Sequence, residues 1–294
     1  MMNKLFFLIA ILFLFSCEKE IEYEGEGKAP VLVLDGVLEN NSFPMINVSR
    51  SVFFLSNSSA SSASISGASV KFTNMDSGVE YVLTSAGSGY YSGGELVLPS
   101  TNYRIEVSYP DYETISSEIT TVNDVVLSSI DSSSVLNGFV RTSFVDYRFN
   151  DSQDENFYAV KLSAEKETTY YDFSGGVIGV DTMWMPQYIT SKDPSLEFVF
   201  GDNTFFSDFS FNGTLKIFST EFSDYNYPGL GEETSKIIGY SATLLNLSED
   251  MYKYFKSIEN NQPNGPFSDP VNAHTNVKNG LGIFGSVSSS VVEL

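Results

Sequence analysis

His274 is the only imidazole among the 294 residues, so a Ser–His–Asp relay would have to run through it. It sits in an Asn- and Pro-rich stretch with no G-x-S-x-G nucleophile elbow to accompany it, and its expected role is a backbone hydrogen bond in a loop. Ser163 and Lys166 have S-x-x-K spacing without the companion motifs, and an odd separation puts them on opposite faces of a strand. One Cys and one His are too few for a zinc site. Asp224, Asn226 and Gly229 match positions one, three and six of a calcium loop, but Ser235 stands where a bidentate Glu is needed. Asp151, Asp154 and Glu155 form a second oxygen-rich turn. An Asx-type turn accounts for both, so no metal or other cofactor is expected, and Asp224, Asn226, Asp151 and Asp154 are the candidates should a hard cation bind. A glycosidase needs only two carboxylates at a set separation. With 37 acids in the chain no pair stands out, and a carboxylate-based hydrolase acting on carbohydrate remains the alternative function.

Met183, Trp184, Met185, Pro186 and Tyr188 gather the chain's single Trp with two Met residues. Aromatic and Met side chains are enriched at interface cores, which makes Met183, Trp184, Met185 and Tyr188 the candidate partner-binding residues. Most large aromatics are nevertheless buried, so Trp184 is expected to fill the core of the second domain, and only an exposed cluster would mark a contact surface.

Lys4 precedes an unbroken apolar run from Leu5 to Phe15, followed by Ser16, Cys17 and the charged segment EKEIEYEGEGK. The run is too short to span ~30 Å of hydrocarbon as a helix and has the length of a signal-peptide core. Leu14, Phe15, Ser16 and Cys17 resemble a lipobox, which implies that residues 1–16 are a lipoprotein signal peptide. Cys17 would then carry acyl chains such as palmitate as the first mature residue. Each buried CH₂ contributes ~0.8 kcal/mol, so two or more chains hold a protein stably at a membrane. Residues 17–28 would be an acidic tether, kept extended by Glu18, Glu20, Glu22, Glu24 and Glu26.

The net charge is −21, and removing residues 1–16 takes away one Lys and leaves −22. Nucleic acid is excluded as a partner, because binding it depends on Lys and Arg neutralising phosphates. With 24 Phe, 17 Tyr and many alternating Val, Ile and Leu, the composition is strand-forming. The patterning predicts an all-β, mainly antiparallel chain with one short helix, divided into residues 29–122 and 123–294. In the first part, strands are expected at Val31–Leu34, Met45–Val52, Val70–Phe72, Tyr81–Leu83 and Tyr103–Val107, with a mobile Ser-rich loop from Ser56 to Ser66. Short strands between Gly, Ser and Asn turns argue a small β-sandwich. Val122–Val135 reads as a connection. Strands follow at Phe139–Phe149, Tyr158–Leu162, Phe198–Phe200, Thr214–Phe218 and Ile237–Leu245. Ser248 is placed to cap a helix over 249–259 that aligns Met251, Phe255 and Ile258 on one face, and Leu281–Val287 closes the chain as a strand.

Three features carry a family resemblance: the strand that enters the acidic turn and leaves through Phe157 and Tyr158, the helix SEDMYKYFKSIENN, and the stretch GPFSDPVNAHTNVKNGLGIFGS. With the FSCEKE start, they resemble the Bacteroidota outer-membrane lipoproteins grouped as domain of unknown function 4249. The resemblance implies an immunoglobulin- or transthyretin-like N-terminal β-sandwich followed by a second, sandwich-like β domain. It also implies gene neighbourhoods shared with TonB-dependent transporters, and it supplies no catalytic residues. In similar lipoproteins, Lys and acidic residues after the Cys mark export to the cell surface, and Glu18, Lys19 and Glu20 fit until Ile21 interrupts them. The expected function is therefore a non-catalytic, lipid-anchored outer-membrane binding or accessory protein facing the cell surface, with a TonB-dependent transporter as partner.

Overall fold

The computed structural model describes residues 29–52, 63–225, 233–261 and 272–294. The signal peptide, Cys17, the tether, most of the Ser-rich loop, Asn226 and Gly229 lie outside the described residues. The chain is all-β and mainly antiparallel, with a single α-helix among the described residues, as the patterning predicts.

The first sandwich uses β1 (Leu32–Glu39), β2 (Met45–Arg50), β3 (Ser69–Asn74), β4 (Val79–Gly87), β5 (Tyr90–Ser92), β6 (Asn102–Ser108) and β7 (Ile115–Thr120). Alternation along β1, β3 and β6 sends Leu32, Leu34, Leu38, Val70, Phe72, Tyr103, Ile105 and Val107 into one core. Phe72 and Tyr103 stack there with centroids 4.8 Å apart. Each such side chain contributes ~1.5–3 kcal/mol by leaving water. The tip of Tyr91 stays satisfied in the same core: its hydroxyl donates to Ile65 O at 2.9 Å and accepts from Ala68 N at 2.8 Å. β4 passes between layers, its first half pairing with β3 and its last residues with β5.

The second part comprises β8 (Leu127–Asn137), β9 (Val140–Asn150), β10 (Phe157–Tyr171), β11 (Val177–Gln187), β12 (Leu196–Phe200), β13 (Asn203–Ser207), β14 (Leu215–Tyr225), β15 (Glu233–Leu247), α1 (Glu249–Asn260) and β16 (Leu281–Glu293). A three-stranded sheet, β14-β9-β8, faces the sheet that contains β10, β13 and β15. Between them lie Val145, Tyr147, Phe149, Tyr158, Val160, Leu162, Phe206, Phe218 and Leu244. α1 covers the other side of the same sheet, placing Met251 and Tyr252 against Ala159, Phe205 and Leu247. Ser248 stands at the N-cap, but its hydroxyl accepts from Ser286 N at 3.1 Å instead of capping the helix.

Two expectations need correction. Residues 122–135 are not all connection, because β8 already starts at Leu127, where Leu127 and Ile130 are buried against the second core. The division at residue 122 is also crossed. β16 pairs in parallel with β1 from Leu281 to Val287, then antiparallel with β15 from Val287 to Glu293. One strand therefore serves both sandwiches, inside a single 13-stranded sheet that runs through them, and the last segment of the chain completes the first sandwich.

β16 is seated by its glycines and by its neighbours. Gly282 has φ +103°, and a Cβ there would lie 1.9 Å from Leu34 O. At Gly285 a Cβ would press to 3.0 Å from Met251 Cβ, so a side chain there would push the helix back by a few tenths of an ångström. The edge facing away from β1 is occupied by a side chain: Asn276 Oδ1 accepts from Phe284 N at 2.9 Å, and its Nδ2 donates to Phe284 O at 2.8 Å. Farther along, Ser286, Ser288 and Ser290 accept from the backbone N–H groups of Val122, Val125 and Leu127 at 3.0, 3.3 and 2.9 Å. Asn40 and Asn246 bind the carbonyls of Val122 and Asn123 from either side. The link between sandwiches is thereby held along its length.

Candidate functional site

Beyond Ala164, β10 leaves the second core and runs on as a hairpin with β11. The turn is tightly built. Asp172 Oδ1 accepts from Ser174 Oγ at 2.7 Å and from the backbone N–H groups of Ser174 and Gly176, each at 2.8 Å. Those bonds, the Ser174 hydroxyl first, hold the Asp172 carboxyl below the usual carboxylate range. Gly175 supplies the positive φ of +83°. Phe173 at the tip is fully exposed.

β11 is exposed on both faces. Lys166 opposite Met183 and Ala164 opposite Met185 put both Met residues on the side of the three-stranded sheet, whereas Glu165 opposite Trp184 puts the indole on the other side. Met183 is 59% exposed, Trp184 43%, Met185 41% and Tyr188 81%. Trp184 does not fill the core as expected. Phe149, Phe206 and Phe218 already fill it, and Trp184 points to the opposite face, where α1 packs on Ala159, Phe205 and Leu247 instead of on β11. Val177, Ile178 and Val180 extend the exposed apolar strip toward the turn.

The registers place this hairpin. Val140 lies opposite Tyr225 and Tyr170 opposite Glu233, so the β8–β9 tip, the β10–β11 turn, the end of β14 and the start of β15 share one end of the second sandwich. Val135, Leu136 and Phe139 are exposed at that end too. The N-terminus of β1 lies beside Leu281 at the opposite end. Following β16 and then β15 back to Glu233, at ~3.3 Å per residue, separates the two ends by about 65 Å along the strands.

The other candidates serve structural ends. His274 Nε2 lies 2.7 Å from Asp250 Oδ1, and its backbone N–H donates to Ser257 Oγ, tying the late loop to α1. Ser163 and Lys166 lie on opposite faces, and Lys166 pairs with Asp224 at 3.3 Å. Asp151 accepts from the Tyr158 hydroxyl and from Gly213 N, and Asp154 accepts from Asn123 Nδ2. Asp208, which nothing in the sequence distinguishes from 36 other acids, is 1% exposed and accepts from Asn156 N at 2.8 Å. Burial, reinforced by the nearby Asp151 and Glu155, pushes its carboxyl up. Among the described residues no group of three or more His, Cys, Asp or Glu is gathered to hold a metal ion. A cleft of about 320 Å³ at the seam is lined by Asn123, Asp124, Ser152, Tyr158 and Asn246, several of which hold the link or the acidic turn. Asn276, the residue that pairs the β16 edge, carries no sequence signal, because an Asn in an Asn-rich loop reads as a turn residue.

Glu197 fastens α1 to the sheet. It accepts from Lys256 Nζ at 2.9 Å, from Ser207 Oγ at 2.7 Å and from the Tyr252 hydroxyl. Burial alone would raise its carboxyl, but these bonds outweigh burial and leave it below the usual range.

No helix among the described residues is long and apolar enough to cross a membrane. No curated protein matches the chain. A family model, domain of unknown function DUF4249, matches residues 18–292. The match runs through both sandwiches and the strand they share, and the chain is a member of the DUF4249 family.

Proposed function

We propose that this protein is a non-catalytic, lipid-anchored accessory protein of the outer membrane that holds a macromolecular partner at the cell surface through its β10–β11 hairpin. The partner in this reading is a TonB-dependent transporter. The carrying observation is the exposed strip of Met183, Trp184, Met185 and Tyr188 on a strand that its own fold leaves uncovered. An apolar patch of this kind, rimmed by polar residues, marks an interaction site. Its position fits the anchor. Lipid on Cys17 would attach the end of the molecule opposite the hairpin and hold the strip out from the bilayer.

The acids carry no comparable signal for hydrolysis, since Asp151, Asp208 and Glu197 are engaged in hydrogen bonds that hold turns and the helix. The test is affinity purification from gently solubilised cell envelopes through a tag added after Leu294. Recovery of an outer-membrane barrel transporter is expected from the wild type and is lost from a Met183→Ser, Met185→Ser variant. Recovery of no barrel protein from the wild type overturns the reading.

A further inference from the structure

The side chains of β11 are only half of what it exposes. Among the described residues β11 pairs with β10 alone, so its outer edge has no strand beside it. Two observations say which main-chain groups face outward. Asp172 N donates to Gly176 O at 2.7 Å, which sets the alternation of bonded and non-bonded pairs up the hairpin and makes Glu167–Thr182 a non-bonded pair. Independently, Thr182 N donates to Asp181 Oδ1 at 2.9 Å and so is turned away from β10. The outward main-chain groups are therefore those of Val180, Thr182 and Trp184. Pro186 falls on the same alternation, where its missing N–H costs β10 nothing.

Edge strands are ordinarily shielded by charges, bulges, brevity or cover. β11 is 11 residues long and carries a single charge, Asp181, and its one irregularity, at Ile178 opposite Tyr170 and Tyr171, lies toward the turn and leaves the edge from Val180 to Trp184 regular. Its apolar residues occupy both faces, a pattern characteristic of a strand buried within a sheet between two layers. We infer that β11 is completed by strand addition: an extended segment of the partner protein pairs with the outer edge at Val180, Thr182 and Trp184, while the side chains of β11 pack on either face. This rests on the docking role proposed above and specifies its geometry. Charge fixes the kind of partner. Glu165, Glu167, Asp172 and Asp181 lie on or beside the strip, against Lys166 and Lys236, which are already paired with Asp224 and Glu167, in a chain of net charge −21. That field disfavours a second copy of this chain and an anionic bilayer surface, and it favours a strand with a neutral or basic rim.

Amide hydrogen exchange at single-residue resolution tests this on the full chain, in native cell envelopes and after purification. Strand addition predicts that the amides of Val180, Thr182 and Trp184 exchange at least tenfold slower in envelopes. Those of Asp181 and Met183, already bonded to β10, should change little. Thr182→Pro removes one outward donor and keeps every apolar side chain of the strip. It is expected to abolish the alternating protection and to release the partner, and an unchanged melting temperature for the purified variant shows that the fold survives.

Strand addition falls, and side-chain docking stands, if Thr182→Pro retains the partner while Met183→Ser with Met185→Ser loses it and no alternating protection is seen. Protection reproduced by protein-free phosphatidylethanolamine–phosphatidylglycerol vesicles would assign the strip to lipid and overturn the inference. A dimer of the purified chain that Thr182→Pro dissolves would assign the edge to a second copy, with the same consequence. Wild-type envelopes showing neither protection nor a partner would remove both readings together.

Discussion

β16 and β11 are long strands of similar character, each mixing small and apolar residues, and they have opposite fates. β16 has β1 along one half, β15 along the other, the Asn276 amide on an otherwise open edge, and a row of serine hydroxyls holding the interdomain link. β11 has β10 and, among the described residues, no strand on the other side. The first strand carries stability and the second does not, although both are equally strand-like. What separates them is the number of layers and neighbours that the rest of the chain brings to each.

The largest expected effect comes from damaging the strand with most neighbours. Gly282→Ala places a methyl group 1.9 Å from Leu34 O in a backbone conformation that disfavours side chains, and the β1–β16 pairing must open to admit it. A loss on the order of 3–5 kcal/mol is expected, read as a lower denaturant midpoint. A shift below ~1 kcal/mol would mean that β16 is not the strand on which the two sandwiches depend. Asn276→Ala should come next. It leaves the N–H and carbonyl of buried Phe284 without their side-chain partner and frees Asp250 Oδ2, at a cost of about 2–3 kcal/mol in the same measurement. An equal loss in Asn276→Asp, which keeps the acceptor for Phe284 N but not the donor for its carbonyl, would place most of the value in the donated bonds.

The sequence was legible where burial is one-sided. β1, β6 and the first half of β10 alternate because one face meets a core, and their spacing shows it. β13 was missed for the opposite reason: Phe206 enters the second core and Phe205 lies under the helix, so neighbouring residues are both apolar and no period appears. β5, at three residues, is too short to show one. The first core draws on both ends of the chain, because β16 pairs with β1 from more than 240 residues away, and no local pattern records such a pairing. Trp184 is the clearest lesson. Its apolar character is written in the sequence, but which face it takes and whether α1 reaches over it depend on strand register and helix placement, and those are properties of the whole fold.

The smallest expected effect gives the sharpest check on the comparison. Met183→Ser with Met185→Ser removes two large apolar side chains, a change that in a core would cost several kcal/mol. At 59% and 41% exposure these two lose little burial in the isolated protein, and each keeps its main-chain bonds to β10. The doubly substituted protein should unfold within about 0.5 kcal/mol of the wild type. A drop of 2 kcal/mol or more would show that the strip packs against this chain itself, and the contrast between β11 and β16 would disappear. Unchanged stability together with loss of the partner would separate the two strands by role. One would then serve to fold the protein, and the other would be kept apolar at no benefit to the fold, for a surface that the fold does not provide.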